Sequence, residues 1–217
     1  MRILPIFFLS ALLAADPPAA VDNSYIRVFQ PVDPCKPGVQ PRDPSLNRVV
    51  VHLALCDARI REKNGKDTAR HSKYGEVEWK AAGDVTACES VTGKPCKVVE
   101  IEIKDDKGWT PVAAGPLDPL KVDPAHYQLL LENDQVRVLR AHFGPHETSA
   151  KHQHVRNRFT VMLTDADLRP KTEDGQVRVL TGKAGDLSWV EGGGPPHIEQ
   201  NASDNPFEVI AIEIKAR

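Results

Sequence analysis

The chain is 217 residues long, carries 28 Lys and Arg against 30 Asp and Glu for a net charge of −2, and is 41% hydrophobic. That balance offers no basic footprint for a phosphate backbone, which argues against nucleic acid as a partner, and 27% charge beside a normal apolar share is not a disordered composition. With 14 Gly, 18 Pro, few aromatics and Val, Ile and Thr in short runs, the predicted fold class is all-β.

In chain order, Arg2 precedes an apolar run from Ile3 to Ala15 and then Asp16-Pro17-Pro18, the layout of a secretory signal peptide over residues 1–20. The run is too short to span a bilayer, and no lipid-accepting cysteine stands beside its end. The expectation is therefore export to a periplasm or the extracellular space, with no membrane attachment after cleavage. In that setting the even count of Cys35, Cys56, Cys88 and Cys96 suits two disulfides in one of three connectivities, with buried free thiols as the alternative. Cys88 and Cys96 flank the turn-like Thr92-Gly93-Lys94-Pro95, so a hairpin pairing of these two is one candidate.

An internal repeat organises the rest of the chain. Shifted by 110, Asp22 to Trp79 lies without a gap on Glu132 to Trp189 with thirteen of 58 positions identical, among them Arg48/Arg158, Gly75/Gly185 and Trp79/Trp189. Pro95 to Lys104 lies on Pro206 to Lys215 with six identities in ten. The predicted organisation is a duplicated module, residues 21–104 and 126–217, joined by a Pro-, Gly- and Asp-rich linker over 105–125 with Trp109 tethering it. Within the second copy, strands are expected over Val136–Phe143, Arg158–Thr164, Gln176–Leu180 and Phe207–Ile214, separated by Gly-Pro, Glu-Asp-Gly, Lys-Ala-Gly-Asp and Ser-Asp-Asn-Pro turns. Such spacing suggests a sandwich or barrel, jelly rolls included.

The chemistry concentrates in that second copy. Gly144-Pro-His-Glu-Thr-Ser-Ala-Lys-His152-Gln-His154 sets two imidazoles two residues apart, on one face of an extended segment. A third, His197, follows the turn Gly192-Gly-Gly-Pro-Pro. Neutral imidazoles converging from two strands suit Fe, Mn, Zn, Ni or Cu. His146, in the approach loop, is a further candidate ligand.

These residues resemble a family. The paired histidines after a glycine turn, then a Gly-Asp, a tryptophan-bearing strand, a Pro-rich turn and H-x-x-x-N are similar to the two motifs of the cupin superfamily. The resemblance covers Tyr127 to Lys215 and, through the repeat, Tyr25 to Lys104. It implies two tandem double-stranded β-helix (jelly-roll) barrels, a bicupin, with a divalent metal on His152, His154 and His197. The family's usual glutamate ligand falls at Arg158, where a cation cannot ligate. Arg158 then has three readings: an ion pair with Glu191, Glu199 or Glu213, a contact to an anionic ligand in the pocket, or loss of metal binding. Arg48 at the equivalent position of the first copy favours a scaffold role. The first copy has Arg42, Pro44 and Ala87 in place of the histidines, and so reads as a structural partner.

If Arg158 faces inward with the histidines, Phe159, Val161 and Leu163 face outward, as do Val49, Val51 and Leu53; two such apolar stripes predict a barrel-to-barrel interface. The resemblance implies a small-molecule ligand and, in an enzyme, metal-dependent oxygenation or isomerisation with Glu191 or Glu199 carrying protons. The alternative is a non-catalytic ligand-binding or structural protein. Assembly into a homo-oligomer is open in either case.

Overall fold

The structure is a computed structural model that describes residues 19–29, 31–36, 43–62, 65–84, 86–104 and 108–216. All but the last two residues of the expected signal peptide, and Arg42, lie outside the described residues. The first half contains β1 (Val21–Asp22), β2 (Ile26–Val28), β3 (Asn47–His52), β4 (Cys56–Arg61), β5 (Asp67–Ser72), β6 (Val77–Lys80), β7 (Ala87–Ser90) and β8 (Val98–Ile103). A helical turn, α1 (Pro119–Val122), precedes the second half. That half contains β9 (Tyr127–Glu132), β10 (Val136–Phe143), β11 (Arg158–Met162), β12 (Ala166–Leu168), β13 (Lys171–Thr172), β14 (Leu180–Gly182), β15 (Leu187–Val190), β16 (His197–Ile198) and β17 (Phe207–Ile214). The fold is all-β, and among the described residues no helix is long and apolar enough to cross a membrane.

Each half has a five-stranded antiparallel sheet, in the order β1-β2-β8-β3-β6 in the first and β9-β10-β17-β11-β15 in the second. The same order recurs because strands at the offset of 110 occupy the same places, β15 for β6 and β11 for β3. Against the first sheet lies β5-β4-β7; in the second half the short ladders β12-β14 and β13-β16 take that position in the chain.

The two large sheets share one core. Val49, Val51, Ile101 and Ile103 of the first belong to the same buried cluster as Phe159, Val161, Ile210 and Ile212 of the second. The alternation along β11 is the cause: Phe159 and Val161 are fully buried toward the partner sheet, while Arg158, Thr160 and Met162 take the other face. The predicted interface between the halves is thus formed. At its margin the Tyr74 hydroxyl donates to the Leu163 carbonyl at 2.6 Å, and the Arg140 guanidinium donates to the Gly75 carbonyl at 2.6 Å. Gly75 sits at φ +74°, a conformation that strains any other residue, and a Cβ there would push aside the Arg140 guanidinium 2.6 Å away.

Three expectations are corrected. The disulfides are Cys35–Cys88 and Cys56–Cys96, not a Cys88–Cys96 hairpin. Cys88 lies on β7 in the small sheet and Cys96 just before β8 in the large one, so each reaches a nearer partner. The strand expected over Gln176–Leu180 begins only at Leu180, after a single bridge from Val177 to Lys171. Val177 and Val179 stand exposed with no layer over them to reward a longer ladder. The segment read as a linker is partly fixed structure: Asp118 caps α1 by accepting from the Leu120 N–H at 3.0 Å, and its buried carboxylate pairs with Arg137 at 2.8 Å. Trp109 does tether this segment, packing on Tyr25 with ring centroids 5.4 Å apart.

Candidate metal centre

The histidines are brought together by backbone pairing. His152 and His197 form an antiparallel bridge, each N–H donating to the other's carbonyl at 2.9 and 3.0 Å, and their rings lie 4.6 Å apart. His154, two residues along the same extended segment, places its ring 5.0 Å from that of His152. The chain can approach here only because Gly192 has no side chain: a Cβ would sit 2.3 Å from the Arg156 carbonyl carbon. Gly193 then ties the turn down by donating to the His154 carbonyl at 2.9 Å. The turn therefore delivers His197 to its place, as its sequence suggested.

Hydrogen bonds fix how the rings are presented. Nδ1 of His152 lies 2.9 Å from the Ala150 carbonyl, and Nδ1 of His197 lies 3.0 Å from the Pro195 carbonyl. A carbonyl can only accept, so both Nδ1 atoms carry the proton and both Nε2 atoms present lone pairs. Those lone pairs face Glu199: its carboxylate oxygens lie 3.9 Å from His152 Nε2 and 3.8 Å from His197 Nε2. His154 Nδ1 is buried with no hydrogen-bond partner, 3.8 Å from a Glu213 oxygen. One donor atom from each of His152, His154, His197 and Glu199 lies within 4.8 Å of the others. A set of three imidazoles and one carboxylate, partly unsatisfied as it stands, fits a divalent transition metal.

The local field agrees with that use. Burial pushes His152 and His154 below the ordinary imidazole range, which keeps them neutral and able to ligate. Burial alone would raise Glu199, but the neighbouring His154, His152, His197 and Arg158 outweigh it and hold the carboxyl below its usual value. Tyr127, buried at the start of β9, donates its hydroxyl to Glu199 Oε2 at 3.1 Å and lies 3.0 Å from His152 Nε2. Sequence reasoning missed Tyr127, which only the pairing of β9 with β10 carries to this place. Glu199, expected as a proton carrier, stands among the donor atoms. Its position two residues after His197, on the same face of an extended segment, was the signal.

The remaining expected residues divide. Arg158 lines the pocket of ≈ 330 Å³ that opens over His154 and His197, with Arg178, Gln176 and Glu191 in its wall. Among the described residues no carboxylate lies within ion-pair distance of Arg158, because its candidates are otherwise engaged. Glu213, opposite it in the ladder, is held by Arg137 at 2.7 Å and Arg156 at 3.4 Å. Glu199 faces the histidines, and Glu191 is exposed at the pocket mouth, outside the donor cluster. His146 is turned to solvent, 2.8 Å from Asp204, and so is no substitute ligand.

No family model matches the chain, and no curated protein matches it. Solved structures do. A cupin 2 conserved barrel domain protein from Leptotrichia buccalis aligns with 90% of this chain and 86% of its own length, at 12% identity and a TM-score of 0.52. A variant of Bacillus subtilis oxalate decarboxylase aligns over 89% of this chain and 70% of its own, at 9% identity and TM-score 0.55. Streptomyces albus HEPD, solved with its substrate 2-hydroxyethylphosphonate and Fe(II) bound, aligns over 88% and 68%, at 9% identity and TM-score 0.57. The fold is a tandem pair of jelly-roll units. It is the fold that these solved structures share.

Proposed function

We propose that the second half is a mononuclear metal centre that binds, and acts on, a small anionic substrate. His152, His154, His197 and Glu199 would hold the ion, Glu199 standing in for the glutamate that the family pattern places at Arg158. The observation that carries this reading is the pairing of a partly unsatisfied His/Glu cluster with an arginine that has no ion-pair partner among the described residues, in the same pocket. Arg158 would take one oxyanion group of the substrate by a bidentate contact, with Arg178 at the mouth adding positive charge. The bound metal would supply Lewis-acid or redox chemistry to an oxygenation or isomerisation. Tyr127 would orient Glu199, and Glu191 at the rim would exchange protons with solvent. The names of the two similar enzymes support small anions as the substrate class, oxalate in one and a hydroxyalkylphosphonate in the other. The two disulfides support an exported protein.

The test is metal content. The tag-free protein should carry close to one equivalent of a transition metal, and His152→Ala, His197→Ala and Glu199→Gln should each lose most of it. Substoichiometric metal that these changes leave untouched would overturn the reading and leave a non-catalytic binding protein.

A further inference from the structure

The first half, which carries none of the histidine ligands, encloses a cavity of its own. It measures ≈ 110 Å³ and lies between the large sheet and β4, β5 and β7, walled by Val50, Ala58, Ile60, Val98 and both disulfides. The alternation of β3 sends Val49 and Val51 to the shared core and turns Arg48, Val50 and His52 toward this cavity.

Arg48 is 4% exposed, and its guanidinium donates to the Asp84 backbone carbonyl at 2.7 Å. Its Nε–H is buried without any partner, and among the described residues no carboxylate lies within ion-pair distance. Two of the three acids in the wall are committed elsewhere, and the third, Asp84, meets Arg48 through its backbone carbonyl. Glu78 takes Arg70 at 2.6 Å, Lys80 at 3.2 Å and His52, while Glu100 has a partner of its own. Arginine cannot shed its charge, and a buried charge without a counter-ion is costly, so the arrangement calls for an anion from outside the chain. Arg48 stands at the position equivalent to Arg158; among the described residues, the same place in each half turns a guanidinium without an ion-pair partner toward a cavity.

We propose that this cavity is a second ligand site, for a short-chain monocarboxylate whose carboxylate sits on Arg48 and whose alkyl tail fills the apolar wall. The wall also carries Arg70, Ser72, Glu78, Lys80 and Thr86, so the alkyl part of the ligand must lie against Val50, Ala58, Ile60 and Val98. A dry cavity of about 150 Å³ holds benzene, so the space here suits a tail of about three to five carbons. The site is separate from the histidine cluster and does not depend on the metal there.

The experiment titrates butyrate, and butyramide as its neutral isostere, into the full chain while following the Nε–H resonance of Arg48 by NMR. Butyrate should shift that resonance saturably, and butyramide should bind at least tenfold more weakly. Arg48→Gln should weaken butyrate binding at least tenfold with metal content unchanged, and Arg158→Gln should leave it unchanged. No shift of the Arg48 resonance in the wild-type protein, equal binding of the two probes, or loss of butyrate binding only in Arg158→Gln would each overturn the proposal. The wild-type titration decides the matter even where a variant fails to fold.

Discussion

The hydroxyl of Tyr127 lies 3.1 Å from Glu199 Oε2 and 3.0 Å from His152 Nε2, so a single proton is shared between two groups that would both face a metal. Once an ion takes the Nε2 lone pair, the hydroxyl is left to orient Glu199 alone. Tyr127→Phe should therefore weaken metal binding by about tenfold, the low end of the range for such outer contacts. A competition titration against a chelator checks this; unchanged affinity would remove Tyr127 from the centre.

Arg158→Gln should separate the metal from its ligand. Metal content is expected to stay near that of the wild type, while oxalate, used as a small anionic probe of the loaded protein, should bind at least tenfold more weakly. A charge-assisted contact of about 1.5–3 kcal/mol accounts for that ratio. Calorimetric titration reads it, and equal oxalate affinity in the two proteins would return Arg158 to the scaffold.

Glu213 is 2% exposed and compensates Arg137 and Arg156 at once. Glu213→Gln leaves both guanidinium groups under-compensated in the interior, a change expected to cost about 3 kcal/mol. For a chain of this length that corresponds to a fall of roughly 10 °C in Tm by calorimetry.

The pH dependence of the metal-free protein follows from His152 and His154, both shifted down by burial. Below about pH 6.5 the unfolded chain binds protons that the folded one refuses, so stability is complete above that point and declines as pH falls toward the folded-state values. Replacing both residues by Gln should flatten Tm between pH 7 and pH 5, as thermal melts across that window would show.

Gly192→Ala should disturb the centre from a distance. The added methyl would meet the Arg156 backbone at 2.3 Å, and the turn must move, taking His197 with it. Metal retention should drop even where circular dichroism shows the sheets intact.

Much of the architecture was legible in the chain itself, and the exceptions have physical causes. The runs at Val136–Phe143 and Phe207–Ile214 appear as strands with the boundaries their residues suggested, because each buries a continuous apolar face. The parity of Arg158 and Phe159 followed from simple alternation, and with it the facing of the two large sheets. The true partners of the cysteines were not legible, since they depend on which sheet each one joins. Nor was Tyr127, whose part is set by neighbours distant in the chain. Glu199 was noticed but given another task, because the family pattern places its carboxylate ahead of Phe159 rather than after His197.

The apolar cluster that runs from Ile26 to Ala216 belongs to neither half alone. Cutting the chain between them would leave Phe159, Val161 and Ile212 on an open flank in one piece and Val49, Val51 and Ile101 in the other. Neither fragment should stay monomeric at working concentration, and the intact molecule should melt in one cooperative step. The half without the histidine ligands thus serves the other by keeping its back wall dry, whatever ligand it holds itself.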